Sequence, residues 1–288
     1  MPDAMVARNL EMAERIGAQP VRYPFSFVVA GDSGAWPDPT ADAIFAQLVR
    51  QTARLEPLFF ANLGDFAGPG TRARHEHYLR LVESLPVPNV CVVGNHDLDD
   101  PGGREAWAQV HGLANFEFAY GHTRFIAIDA APGMVGEIVV DAPEGTAGPG
   151  EQALEFLARS LERATEPHRV VLMHAPPAFG GRFAPHPEWG FDIREAEFLE
   201  LVRRHRVALV CCAHALLFDQ HVHDGTRFVV SGGGGTGLCS HLRGVCAAGE
   251  GRPEDRGALF HAVQIIVTEA GAISGRVLQA FGDARIIF

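Results

Sequence analysis

Residues 90–97 read VCVVGNHD, a short apolar run that ends in glycine and then in Asn95, His96 and Asp97. An apolar run of this length, closed by glycine, is typical of a strand that is buried on both faces. The three side chains after the glycine carry an amide oxygen, an imidazole and a carboxylate. The segment therefore predicts a core strand that presents chemically active groups at its carboxyl end.

Four other apolar runs end in a similar way, in aspartate or histidine. They are FSFVVAGD at 25–32, LFFANLGD at 58–65, VVLMH at 170–174 and VALVCCAH at 207–214. In open α/β sheets the ligand crevice lies at the carboxyl ends of the strands, so we expect the strand-end side chains to converge there. Carboxylate, amide and imidazole donors together suit Zn²⁺, Mn²⁺ or Fe. The predicted ligands are Asp32, Asp65, Asn95, His174 and His214.

Helical segments separate these runs. Asp38 followed by Pro39 has the pattern of a helix N-cap with proline at the first helical position. The alternation of strands and helices indicates a sheet that is covered by helices, with mostly parallel strands at first. After residue 215 the apolar runs are joined by short turns. This change predicts an antiparallel second half and two sheets packed together.

Length and composition are those of an ordinary soluble globular protein. The chain has 288 residues, 47% of them hydrophobic and 20% charged, and a net charge of −11; all 24 basic residues are arginine. An acidic chain of this kind offers no evident nucleic-acid-binding surface. No stretch is long and apolar enough to span a bilayer. We expect a short amphipathic helix at 1–20 and a single domain at 21–288.

The cysteine content indicates a reducing compartment. The five cysteines show no CxxC spacing, so we interpret them as reduced thiols and expect a cytoplasmic protein. The sequence leaves the oligomeric state open.

The chain resembles the calcineurin-like metallophosphoesterases, and most closely their purple-acid-phosphatase-like and phosphodiesterase branches. Five motifs carry the resemblance: GDSG at 31–34, GD at 64–65, GNHD at 94–97, HAPP at 174–177 and AHAL at 213–216. It extends over roughly residues 24–281. The fold implied is of the α/β (α+β) class, a four-layer α/β/β/α sandwich of two mixed β-sheets flanked by helices.

The resemblance also implies a two-metal centre that hydrolyses a small phosphoester, either a monoester or a diester, with metal-activated water. Asp65 would bridge the two ions, and Asp32 would belong to the first site. The second site would be completed by Asn95, His174 and His214.

Two catalytic roles follow from the same resemblance. His96 would lie beside the scissile phosphate, and Asp97 would orient it. Arg182 is a candidate phosphate contact, although a solvated loop arginine is the simpler interpretation. The glycines at 232–235 suit either a phosphate-binding turn or a tight strand exit, and we favour the strand exit.

The first metal site departs from the family pattern. Gly34 stands where many members have histidine, Gly68 where the acid-phosphatase branch has tyrosine, and Leu216 where the last histidine of the final motif is expected. We therefore expect one tightly bound ion (Mn, Fe or Zn) and at most a weak second one. Substitute ligands have little support from their spacing; they are His75, His77, Tyr78, His221 and His223.

Two other functions remain open at this point. A chain that has lost these ligands can be a catalytically inactive metal- or phosphate-binding protein on the same fold. It can also be a mononuclear Fe or Mn enzyme that activates oxygen, an alternative that rests only on the Asp/Asn/His donor set.

Overall fold

A computed structural model describes residues 8–130, 149–177, 194–238 and 258–287. The helices are α1 (Arg8–Gly17), α2 (Pro39–Ala53), α3 (Arg72–Leu81), α4 (Gly103–Val110), α5 (Pro149–Arg163) and α6 (Glu195–Arg204), with a 3₁₀ turn at His96–Leu98. The strands are β1 (Phe25–Ala30), β2 (Phe60–Asn62), β3 (Asn89–Cys91), β4 (Phe116–Tyr120), β5 (Thr123–Ala127), β6 (His168–Leu172), β7 (Leu209–Cys212), β8 (Phe218–His223), β9 (Thr226–Ser231), β10 (His261–Val267), β11 (Ile273–Gln279) and β12 (Arg285–Ile286).

The strands form two mixed sheets of six strands each. The first has the order β12-β11-β10-β1-β2-β3, with β1, β2 and β3 parallel and β10 to β12 antiparallel. The second has the order β4-β5-β6-β7-β9-β8, with an antiparallel strand at each edge of a parallel centre. The expectation of two mixed sheets is confirmed.

Aromatic side chains from both sheets fill the space between them. Phe27 and Phe59 of the first sheet stack with ring centroids 5.0 Å apart, and Phe125 of the second sheet meets Phe59 edge-on at 5.1 Å. Separate apolar clusters bury α5 and α6 on the outer face of the second sheet, and α2, α3 and α4 on that of the first. The layers are therefore helix, sheet, sheet and helix, as expected.

The two-sided burial explains why the strands read as continuous apolar runs. In β1, Phe27 and Val29 face the other sheet, whereas Val28 and Ala30 face the helices on the outer side. Because successive side chains point to opposite faces, a strand that is covered on both sides is apolar at most of its positions.

After residue 215 the strands pair antiparallel with one another, as expected (β8 with β9, β10 with β11 and β11 with β12), but they do not form a half of their own. β9 pairs in parallel with β7 in the second sheet, whereas β10 crosses to the first sheet and pairs antiparallel with β1. Short turns between apolar runs do not reveal which sheet a strand joins, because both sheets offer an open edge. The predicted cap of α2 is confirmed, since Asp38 Oδ1 accepts a hydrogen bond from the Thr40 amide at 2.8 Å.

Helix α1 packs against the neighbouring edges of both sheets, β3 and β4. Asn9 of this helix is fully buried; its Nδ2 donates to Cys91 O at 3.0 Å, and the Cys91 amide donates to Asn9 Oδ1 at 3.0 Å. The helix therefore supplies hydrogen bonds to an edge strand that has no further strand beside it. No helix in the described ranges is long and apolar enough to cross a membrane.

Candidate metal centre

The carboxyl ends of β1, β2, β3, β6 and β7 bring the predicted ligands to one side of the sandwich. Buried ligand atoms of Asp65, His174 and His214 all lie within 4.8 Å of one another. Asn95 joins them, because its Oδ1 lies 3.1 Å from His174 Nε2. Four of the five strand-end side chains thus form one compact cluster.

The spacing of these atoms suits a metal ion. His174 Nε2 lies 3.3 Å from Asp65 Oδ2 and 3.1 Å from Asn95 Oδ1. Donors about 2.1 Å from an ion are about 3.0 Å apart at a right angle and about 3.4 Å apart at a tetrahedral angle. The observed distances are those of adjacent corners of a coordination shell, so oxygen and nitrogen donors are already placed to hold one ion.

The ring of His174 is fixed in the orientation that a ligand needs. Its Nδ1 donates to the carbonyl oxygen of Leu63 at 2.7 Å, which leaves the lone pair of Nε2 for a metal. Burial alone would raise the pKa of Asp65, but His174 outweighs it and lowers this pKa to about 2. Burial alone would lower the pKa of His174, but Asp65 outweighs it and raises this pKa to about 9.

Three of the seven non-glycine residues with a positive φ in the described ranges are predicted ligands. Asp32, Asp65 and His214 have φ values of 58°, 57° and 67°, in the left-handed region that side-chain-bearing residues rarely adopt. Each such residue costs on the order of 1 kcal/mol, and such strain clusters at functional sites. The left-handed residues turn the chain sharply off β1, β2 and β7, and this places the side chains over the sheet edge.

Glycines let the ligand-bearing loops approach each other. Gly64 has φ +101°, and a Cβ there would lie 2.5 Å from His174 Nδ1; a Cβ on Gly94 would lie 2.2 Å from Asp65 Oδ1. A glycine after a strand commonly provides a sharp turn of the backbone. At Gly94 the reason is close packing instead, because that residue lacks a positive φ.

His96 lies at the edge of the cluster with its side chain 26% exposed. Its amide donates to Asp65 Oδ1 at 2.9 Å, and its ring Nδ1 hydrogen-bonds to Asp99 Oδ2 at 2.7 Å. The half-exposed ring of Trp36 lies beside it, with centroids 4.9 Å apart. Burial would lower the pKa of His96, but Asp65 and Asp99 outweigh it, so the pKa is raised.

The expectation that Asp97 orients His96 is wrong. Asp97 is fully buried, and both its carboxylate oxygens accept backbone amides, whereas the ring of His96 pairs with Asp99. The 3₁₀ turn is the reason, since residues three apart lie on the same side of it. The four amides that Asp97 accepts, at 2.8–2.9 Å, belong to Asp65, Phe66, Ala67 and Gly94.

The contacts of Asp32 differ from those of the four clustered side chains. Its Oδ2 accepts the backbone amide of His214 at 2.7 Å. Its Oδ1 is buried and makes no hydrogen bond within the described part of the chain. Burial raises the pKa of Asp32 well above its usual range; His174 opposes this effect and Asp65 adds to it.

The first metal site of the expected two-metal centre, around Asp32, is poorly suited to hold an ion. Gly34 and Gly68 carry no donor, and Leu216 is a buried apolar side chain. Among the described residues at the family's ligand positions, the protein donors there are Asp32 and the shared Asp65. A strongly held ion of this kind usually has three or four protein ligands.

The substitute ligands weighed in the sequence have other partners. Tyr78 is buried and donates to Asn89 Oδ1 at 3.1 Å, while the fully buried His75 packs edge-on against Phe66. His77 pairs with Asp42 at 2.8 Å. On β8, the ring of His221 stacks on Phe228, and His223 lies 3.7 Å from its neighbour Asp224.

Two candidate phosphate contacts from the sequence remain, Arg182 and the glycine run at 232–235. Arg182 lies outside the described residues. In the glycine run, the amide of Gly232 donates to Leu217 O at 3.1 Å and that of Gly234 to Gly31 O at 2.9 Å. These amides are already used by backbone carbonyls, which supports a strand exit rather than a phosphate-binding turn.

Sequence reasoning missed three groups around the cluster: Asp99, Trp36 and the carbonyl oxygen of Leu63. Asp99 had a detectable signal, because an acid three residues after His96 lies on its side of a tight turn. The contact of Trp36 joins distant loops, and a backbone carbonyl leaves no trace in residue identity.

Comparisons with known proteins agree with this architecture. The family model described as calcineurin-like phosphoesterase matches residues 25–217. A purple acid phosphatase from yellow lupin (Lupinus luteus) seeds superposes with a TM-score of 0.67 at 16% identity, over 92% of this chain; this chain spans only 54% of that enzyme. A dimetal phosphatase from Danio rerio superposes with a TM-score of 0.64 at 14% identity, over 92% of this chain and 99% of that one.

A third similar structure is GAP50 of Plasmodium, described as the anchor in the inner membrane complex. It superposes with a TM-score of 0.65 at 13% identity, over 92% of this chain and 89% of that one. None of the curated protein sequences matches this chain significantly.

Proposed function

Since the chain belongs to the calcineurin-like phosphoesterase family, we propose that it hydrolyses a small phosphoester with a divalent metal ion and water. The single observation that carries this proposal is the buried cluster of oxygen and nitrogen donors with the spacing of one coordination shell. The proposed metal ligands are Asp65, Asn95, His174 and His214. When bound, the ion would polarise the phosphoryl oxygens and lower the pKa of the attacking water.

His96 is the proposed catalytic residue. With Nδ1 held by Asp99, the other ring nitrogen is the one available to a substrate. The raised pKa of His96 favours the imidazolium, which can donate a proton to the oxygen of the leaving group. Asp97 has an indirect role, because its hydrogen bonds hold the loops that carry Asp65 and Asn95.

The donor set supports Mn, Fe or Zn as the metal. Three cysteines in the described ranges (Cys91, Cys211 and Cys212) are buried free thiols, which supports a reducing compartment such as the cytoplasm. Monoesters and diesters are both candidate substrates.

The test measures hydrolysis of nitrophenyl phosphate and bis-nitrophenyl phosphate by metal-stripped protein refilled with Mn²⁺. His174→Ala should abolish turnover and metal retention. His122→Ala, which removes an exposed histidine that belongs to none of these motifs, is the matched control and should behave as wild type. The ratio of the two rates assigns the monoester or diester class. Equal turnover in wild type and His174→Ala would contradict the proposal.

A second function is favoured by one observation, the loss of donors at Gly34, Gly68 and Leu216. A chain altered in this way can retain metal and bind a phosphate group without turnover. A similar fold serves as an anchor in the Plasmodium protein. Stoichiometric metal in wild type, with no hydrolysis above His174→Ala, would support this function over the first.

A further inference from the structure

We infer that this chain holds one metal ion where the family resemblance implies two, and that the Asp32 carboxylate positions His214 at that ion. The inference rests on the proposed function for the use of the site, but its evidence is the packing around the first half-site. Three positions could have supplied ligands there, and the structure shows what occupies each.

Two of the three positions are closed by backbone. The Gly34 amide donates to Asp65 O at 2.9 Å, and the Gly68 amide donates to Gly34 O at 3.0 Å. A Cβ on Gly34 would lie 2.6 Å from Phe66 O, and one on Gly68 would lie 1.8 Å from Ala35 O. Neither residue can carry a histidine or tyrosine side chain unless the two loops move apart.

The third position, Leu216, and the shared carboxylate of Asp65 add few donor atoms for a second ion. Leu216 is 5% exposed and has no donor atom in its side chain. On Asp65, Oδ1 already accepts the His96 amide and is enclosed by Gly94, so Oδ2 is the oxygen left for metal. That oxygen faces His174. From the described residues, a second ion would have one oxygen of Asp32 and a shared oxygen of Asp65 as its ligands.

The carboxylate of Asp32 is hydrogen-bonded to the backbone of His214. Asp32 Oδ2 accepts the His214 amide at 2.7 Å, and the backbone of Asp32 is held at both ends, by Gly64 O at 2.9 Å and by the Thr236 amide at 2.8 Å. Asp32 and His214 are both in the left-handed region. The hydrogen bond between them therefore ties together two strained turns, and it sets the place from which the imidazole of His214 reaches the ion.

The first test is metal stoichiometry, which does not depend on activity. The full chain is loaded with excess Mn²⁺ and desalted, and Mn is measured per chain by elemental analysis. One Mn²⁺ per chain is expected, with the six-line electron paramagnetic resonance spectrum of an isolated ion. Two ions per chain with an exchange-coupled spectrum would overturn the inference.

The second test separates positioning from ligation at Asp32. Asp32→Asn keeps an acceptor oxygen for the His214 amide, whereas Asp32→Ala removes it. We expect one ion in both variants, with Mn²⁺ affinity within about threefold of wild type in Asp32→Asn and roughly ten- to hundredfold lower in Asp32→Ala. An Asp32→Asn variant that binds as weakly as Asp32→Ala would show that the negative charge itself is needed, and would overturn the positioning role.

The third test restores a donor. Leu216→His rebuilds the family's last histidine, and the variant should still bind one ion because the loops at Gly34 and Gly68 stay closed. A second ion in this variant but not in wild type would support the one-ion inference for wild type and assign it to the lost histidine rather than to loop closure. Hydrolysis is measured on the same samples. One ion in wild type without turnover would contradict only the proposed function, and two ions in wild type with turnover would contradict only this inference.

Discussion

Replacing Asp97 by asparagine should destabilise the whole fold, although the residue follows a predicted catalytic histidine. The carboxylate is fully buried and accepts four backbone amides, two on each oxygen. Asparagine keeps one oxygen, so two amides would lose their acceptor and face an NH₂ group. Each buried unsatisfied donor costs about 1–3 kcal/mol, so the free energy of unfolding should fall by about 2–6 kcal/mol.

Urea unfolding of the metal-free protein at pH 7.5 measures this loss. A fall of about 2–6 kcal/mol is a large part of the 5–15 kcal/mol that typically separates native from unfolded protein. Metal retention should weaken too, because the amides released belong to the loops of Asp65 and Asn95. A change in unfolding free energy below about 1 kcal/mol would refute the assigned role of Asp97.

Asp99→Asn is the matched control, since it makes the same chemical change two residues away. The side chain is 44% exposed and its contact is with the ring of His96. We expect its free energy of unfolding within about 0.5 kcal/mol of wild type. Under the proposed function, kcat should fall about tenfold at unchanged metal content, because the ring of His96 loses its partner. Unchanged kcat in a hydrolytically active protein would remove Asp99 from the mechanism.

Three further predictions concern pH, packing and metal. Burial lowers the pKa of His75 from 6.5 to about 4. The neutral ring therefore contributes fully to the free energy of unfolding above pH 6.5, and this contribution is lost as the pH falls towards 4. At pH 5 the loss is about 2 kcal/mol, and urea unfolding of His75→Phe should show a pH dependence smaller by that amount. Gly68→Ala should lower the melting temperature strongly, because its Cβ would meet Ala35 O, whereas Gly237→Ala, with open space around it, should change it little; equal melting temperatures would contradict the closed-loop packing. Mn²⁺ at about 100 times its dissociation constant should raise the unfolding free energy by about 2.7 kcal/mol, and this gain should disappear in His174→Ala.

The strand-end pattern was enough to predict the buried cluster of donor groups. Glycine followed by aspartate or asparagine after an apolar run indicates a buried strand and a polar group at its carboxyl end, and parallel strands bring such ends together. This reasoning identified Asp65, Asn95, His174 and His214 as one cluster, and the structure brings them together. It could not separate Asp32 from them, because residue type alone does not show which contacts a carboxylate makes.

The sequence by itself determined the two-sided burial of the strands and the type and order of the donor groups, because both depend on local residue identity. Tertiary structure alone decided the partner of His96, the function of the Asp97 carboxylate and the closure of the loops at Gly34 and Gly68. These features depend on which backbone groups of separate loops meet, and a backbone amide or carbonyl is the same in every residue. For that reason the missing donors could be read from the sequence, whereas the close packing of the loops at Gly34 and Gly68 became visible only in the structure.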